Sequence, residues 1–160
     1  MTDWKALFEE LSKTPTGTIE FIIRGVILAE TDKDLADQVL AFAFPKGDNT
    51  EDQSSISGYR LRKKGNGYYM GQFAKDKNII RSYGGASYKN GYSFDPDNIK
   101  ITVTKEDIGE KEAKIFIKSG GKDNPTPVKL KKNKHGQWKL FTGFSSMATG
   151  VRKIKDEGDF

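Results

Sequence analysis

The apolar residues of this 160-residue chain change their period part-way along it. Before residue 45 they recur at helical spacing; after residue 98 they alternate. That switch restricts the chain to helices followed by an antiparallel sheet, because each period buries one face of one kind of element. In residues 3–13, Trp4, Leu7, Phe8 and Leu11 make one stripe, with Thr2 or Asp3 placed to cap it. Thr14-Pro15 interrupts, since proline suits a first turn and not a helix interior. Over 16–29, Ile19, Ile22, Ile23, Val26 and Ile27 return to one side, and Glu20 and Arg24 stand one turn apart. The β-branched content also allows a strand, and the spacing tips the segment to helix. Thr31-Asp32-Lys33-Asp34 opens a third helix that runs to about residue 44, with Leu35, Val39 and Phe42 inward, and Pro45-Lys46-Gly47 stops it.

Residues 46–55 read as loop and Ile56–Lys64 as a short helix, broken by Gly65-Asn66-Gly67. Residues 68–98 are rich in Gly, Tyr, Ser and Asn with no clean period, so irregular chain with one or two short strands is expected there. Four alternating runs follow. Ile99, Ile101 and Val103 begin the first, Ile115 and Ile117 mark the second, Val128 and Leu130 the third, and Trp138 and Leu140 the fourth. Brief turns between them predict an antiparallel meander. Its outer face would carry Lys100, Lys114, Lys118, Lys129, Lys131 and Lys139, as a wet sheet face does, and those lysines discourage edge pairing. The expectation is one α+β domain with N-terminal helices packed on a C-terminal β-meander: 1–45 helical, 46–98 loop-rich, 99–152 stranded, 153–160 a frayed tail. A chain this long suits one domain.

Composition narrows the chemistry. With no cysteine there are no disulfides, thiolate nucleophiles or sulfur-bound zinc, which suits a reducing, cytoplasmic setting. The start, MTDWKALFEELSKT, is acidic and amphipathic, unlike a secretion leader, and the apolar runs are too short for a bilayer, so no membrane partner is expected. Charge is uneven. Residues 1–50 hold 5 basic and 9 acidic side chains, and residues 51–160 hold 22 and 13, so the basic character belongs to the second part. A basic face attracts nucleic acid, acidic lipid or an acidic protein, and it also describes a merely solvated lysine face.

The sole histidine, His135, lies in a Lys-His-Gly turn, where an exposed side chain is expected rather than a proton shuttle. Phe94-Asp95-Pro96-Asp97-Asn98 reads as a turn and not a calcium loop. Ser119-Gly120-Gly121-Lys122 has phosphate-cradle residue types but falls between strands, as a hairpin turn does. No catalytic residue, metal ligand or cofactor is assigned, and the chain reads as non-enzymatic. Residues 59–92 interleave Tyr59, Arg60, Arg62, Tyr68, Tyr69, Arg81, Tyr83, Tyr88 and Tyr92, a mixture that single-strand grooves use and that also anchors irregular loops.

Two stretches carry a family resemblance. One is Arg81-Ser82-Tyr83, followed by Gly85-Ala86, Asn90 and Tyr92; the other is Ser119-Gly120-Gly121-Lys122-Asp123-Asn124-Pro125-Thr126-Pro127, followed by Gly136-Gln137-Trp138. In order and spacing these resemble a family of small bacterial proteins known only as a domain of unknown function, over the chain from about residue 16 onward. The resemblance implies no catalytic residues. It associates an arginine with the position of Thr126, so any anion contact from that arginine is lost here. The helix-then-sheet order with Gly136-Gln137-Trp138-Lys139 is also similar to cone-shaped folds of the nuclear-transport-factor type, which enclose pockets and carry no function by fold alone.

Together these readings describe a binding or protein-interaction module. Its expected surface is Arg81, Ser82, Tyr83, Asn90 and Tyr92, joined by Ser119, Gly120 and Asp123 if the two segments meet. A protein or small ligand is the expected partner. A small-molecule pocket and nucleic-acid binding through the basic sheet or residues 59–92 are the alternatives.

Overall fold

A computed structural model describes residues 1–154. Three helices open the chain: α1 (Trp4–Leu11), α2 (Pro15–Leu28) and α3 (Lys33–Leu40), the last running into a 3-10 turn at Ala41–Ala43. Each starts at a side-chain cap. The Asp3 carboxylate accepts from the Ala6 N–H, the Thr14 hydroxyl from Gly17 and the Asp32 carboxylate from Leu35. Pro15 occupies the first turn of α2, where its missing N–H costs nothing. α2 is the central helix and buries Ile19, Phe21, Ile22, Ile23 and Val26. Trp4, Phe8 and Phe42 pack edge-on to the Phe21 ring, with centroids 5.1–6.4 Å away. Gly25 lets α3 close onto α2, because a Cβ there would fall 2.5 Å from Leu40 Cδ2.

The middle of the chain differs from expectation. The predicted helix over 56–64 is instead half of a hairpin, with β1 (Asn49–Glu51) antiparallel to β2 (Tyr59–Leu61). Local side-chain bonds outcompete the helix here. The Asp52 carboxylate takes the Ser54 N–H and hydroxyl, the Ser57 hydroxyl donates to the Gln38 carbonyl at 2.7 Å, and Gly58 turns at φ +79°. Arg60 then bridges Asp52 and Asp34. Gly65-Asn66-Gly67 starts a helix where a break was predicted. α4 spans Asn66–Lys75, and α5 follows at Asn78–Arg81. α4 is a poor helix former held by its buried Met70 and Phe73, the latter packed on Phe144 at 5.2 Å. Residues 68–98 therefore hold two helices and a 3-10 turn at Tyr88–Asn90, with a single isolated bridge from Ser87 to Gly120 in place of short strands.

The four-stranded meander forms as expected, in the order β3-β4-β5-β6, all antiparallel: β3 (Val103–Ile108), β4 (Glu112–Ile117), β5 (Thr126–Lys132) and β6 (Trp138–Thr142). Its first strand starts later than the alternation suggested. Ile99 and Ile101 lean on the core from extended chain whose backbone bonds elsewhere, Lys100 N–H reaching the Gly84 carbonyl. Ile115, Ile117, Val128, Leu130, Trp138 and Leu140 face the helices and share one core with them. A short helix, α6 (Phe144–Met147), closes the C-terminal end. Of the predicted frayed tail, residues 155–160 lie outside the described residues. Among the described residues no helix is long and apolar enough to cross a membrane.

Candidate functional site

The 81–92 and 119–123 segments do meet, at the bridge between Ser87 and Gly120. The Gly120 N–H donates to the Ser82 carbonyl at 2.8 Å, and the Tyr88 N–H to the Gly120 carbonyl at 3.1 Å. Beneath the bridge runs a buried relay. The Gly121 N–H donates to Ser119 Oγ, which donates to Ser82 Oγ at 2.7 Å, which donates to the Ile79 carbonyl at 2.6 Å. Asn90 Oδ1 accepts from the Ser87 N–H and completes a capping box on the 3-10 turn. Tyr92 follows Gly91 into the left-handed region at φ 57°, is buried, and donates its hydroxyl to the Arg152 carbonyl. Arg81 reaches away from this junction, clasping both Glu30 carboxylate oxygens at 2.7 and 3.0 Å over the Phe94 ring. Asp123 stands at the exposed rim, paired with Arg152.

At the edge of the junction lies an open concavity of about 650 Å³ between the 121–127 and 146–152 segments. Lys122, which the sequence reading placed in a hairpin turn, is its central group. Lys122 Nζ donates to the Tyr83 hydroxyl at 2.6 Å, the Thr149 hydroxyl at 2.7 Å and the carbonyls of Ser146 and Met147. It thus caps the C-terminal carbonyls of α6, where a cation is favoured. The Tyr83 hydroxyl also bonds the buried Thr126 hydroxyl and the Met147 carbonyl, and burial pushes its phenol well up. So Thr126, standing where the resemblance led us to expect arginine, completes an internal cluster.

Burial pushes the half-buried Lys122 ammonium down to about 8 from its ordinary 10.5. Between those values the unfolded chain holds the proton and the folded chain has released it, so this group makes the fold more stable as pH rises from 8 to 10.5. The gain is at most ~1.4 kcal/mol per pH unit and is reduced by solvent at a half-exposed group. In urea titrations at pH 7.5, 9 and 10, the stability of wild type relative to Lys122→Met should therefore rise with pH. A flat difference would contradict it.

The outer face of the sheet is a second surface. The phenyl rings of Phe116 and Phe141 stand on it among lysines, and Phe141 is 43% exposed. Lys131 Nζ lies 3.7 Å from the Phe141 ring centroid, and Lys114 and Lys105 lie 5.3 and 6.0 Å from that of Phe116. A shallow groove of about 530 Å³ crosses this face, lined by Lys114, Lys129, Lys131 and Phe141 with Asp107 and Glu112. Lys139, counted with this face in the sequence, stands opposite Lys131 in the register and also lines a cleft at the sheet's edge. Alternation showed the lysines, but the two rings were missed as a site. Their signal was present: Phe116 and Phe141 occupy lysine-phase positions in β4 and β6.

In residues 59–92, the other basic aromatic stretch, three arginines are engaged within the fold, while Lys63, Lys64, Tyr68, Lys75, Lys77 and Lys89 are exposed. Arg60 serves Asp34 and Asp52, Arg62 donates to the Gly47 and Asn49 carbonyls, and Arg81 holds Glu30. His135 is exposed in its turn. Among the described residues no three His, Asp or Glu side chains converge.

No curated protein and no solved structure matches the chain. The model of one family, described as Domain of unknown function (DUF6935), matches residues 1–155. That span takes in both motif stretches, the helical layer and the whole meander, so the chain belongs to the DUF6935 family.

Proposed function

We propose that this protein is a non-catalytic binding module that holds single-stranded nucleic acid across the outer face of its sheet. The observation that carries this reading is the exposed Phe141 ring with the Lys131 ammonium 3.7 Å from its centroid, on a face that also carries Lys114, Lys129 and Phe116 beside the acids Asp107 and Glu112. A ring with a cation beside it offers a base a stacking platform and its phosphate a counter-charge, without reading sequence. The 81–92 and 119–123 junction supports a ligand site less strongly, because its hydroxyls and amides already bond one another. The cysteine-free composition supports a cytoplasmic setting.

Fluorescence anisotropy with labelled dT15 tests the reading. About four phosphate contacts give a slope near −3 in log K against log salt, so affinity should fall roughly 50-fold between 50 and 200 mM salt. Phe141→Ala should cost about 1–3 kcal/mol of binding, the value of one stacked base. Lys129→Gln with Lys131→Gln should flatten the salt slope by about 1.4. Absence of binding at 50 mM salt, or binding indifferent to Phe141→Ala, would refute the proposal.

A further inference from the structure

The first helix, the 3-10 turn at 41–43, β2 and the turn between β5 and β6 enclose a cleft of about 220 Å³. Four groups from four separate parts of the chain converge there: Lys5 of α1, Lys46 after the turn, His135 of the β5–β6 turn and Lys139 of β6. One acid, Glu9, lines the same cleft. Among the described residues, none of the three lysines has a carboxylate within ion-pair distance, although lysines elsewhere pair with Glu10, Asp37 and Glu112. The Gln137 carboxamide oxygen is held by Asn133, which leaves its NH2 as a further donor lining the cleft. Phe42 and Tyr59 supply aromatic wall.

Bringing two ammonium groups together in a recess costs Coulomb energy that water alone does not remove. The cost is visible on Lys139, whose proton affinity is lowered first by burial and then by Lys46. An anion between the lysines reverses the sign of that interaction, and charge-assisted hydrogen bonds from ammonium and carboxamide groups would hold it. The volume lies below that of drug-sized pockets and suits a phosphate carrying one small ring, which the aromatic wall would cover.

We infer that this cleft binds a small phosphate monoester, gripped by Lys46, Lys139 and Gln137 with Lys5 and His135 at its mouth. The cleft borders the outer sheet face, Lys139 standing opposite Lys131 in the β5–β6 register, but phosphate binding there does not depend on the nucleic-acid reading.

The test uses phenyl phosphate and inorganic phosphate as probes, read by amide NMR shifts and by thermal unfolding. Phenyl phosphate should shift Tyr59, His135, Gln137 and Lys139, bind more tightly than inorganic phosphate, and raise the melting temperature. Lys139→Gln should fold at least as stably as wild type, because it removes the repulsion, and should weaken binding by at least ~10-fold, the loss of one charge-assisted contact. Should Lys139→Gln fail to fold, Lys46→Gln, an exposed side chain, carries the same expectation. Lys63→Gln, an exposed lysine outside the cleft, should leave binding unchanged. Shifts centred on the outer face, no shifts, or cleft variants that bind within about 2-fold of wild type would overturn the inference.

Discussion

Gly120→Ala is expected to lower the unfolding free energy by about 3 kcal/mol, from overpacking plus two lost backbone bonds. A Cβ at this position would stand 2.0 Å from the Ala86 carbonyl oxygen and 2.7 Å from the Ser87 Cα. Both are backbone atoms, so no rotamer change relieves the clash and the 86–88 and 119–121 strands of chain must part. Parting them breaks the Gly120–Ser82 and Tyr88–Gly120 hydrogen bonds and strains the hydroxyl relay beneath. Gly71→Ala makes the contrast. Gly71 sits inside α4 with open space where its Cβ would go, so alanine there should stabilise by about 0.5–1 kcal/mol. Urea unfolding of the two variants measures both signs. A cost below ~1 kcal/mol for Gly120→Ala, the worth of one hydrogen bond, would show that the junction is not the rigid element described here.

Tyr83→Phe removes one atom and is expected to cost about 2–3 kcal/mol. In a chain of this size that lowers the melting temperature by roughly 4–12 °C. The Tyr83 ring is fully buried, and its hydroxyl joins Lys122, Thr126 and the Met147 carbonyl. Without it, the Thr126 hydroxyl loses its recorded partner in a buried place, and the Lys122 ammonium keeps only the α6 carbonyls and Thr149. The double variant Tyr83→Phe with Thr126→Val should recover part of the loss, because the stranded hydroxyl goes with its partner. Thermal unfolding of the single and double variants decides this. Additive losses would mean the two hydroxyls do not interact energetically.

The helical first third of the chain was legible because a cap and a stop framed the stripes of α1 and α3, while at α2 the helical spacing outweighed a β-branched composition. The meander was legible for the same reason, since its buried Ile, Val, Leu and Trp residues keep phase through β4, β5 and β6. Between them, local signals conflicted with what packing selected. Asn66-Gly67 reads as a break, yet the chain needs a glycine there because a Cβ would meet the Arg62 carbonyl at 2.7 Å, and Phe73 supplies the burial that holds α4. The short helix expected over 56–64 would have partly buried Ile56, Tyr59 and Leu61, but Leu61 is buried in β2 and Ile56 faces water. The meeting of the two motif stretches was foreseen as a condition of the site. The role of Lys122 within it was not, because its partners lie 24 or more residues away. The cleft at Lys46 and Lys139 left no sequence signal at all, since its residues share no spacing.

The two rims of the sheet are unequal. Along β6, the Trp138 N–H is taken by the Ser12 carbonyl and its carbonyl by the Thr18 hydroxyl, with α2 laid against the strand. Among the described residues nothing pairs with the far side of the β3 rim, which is dressed with Lys105, Glu106 and Asp107. Growth by continuing this sheet needs both of its rims, and the β6 rim is obstructed at Trp138. Two molecules joined through β3 about a two-fold axis would use up both of those strands, and the contacts from Ser12 and Thr18 oppose continuing the same sheet past Trp138.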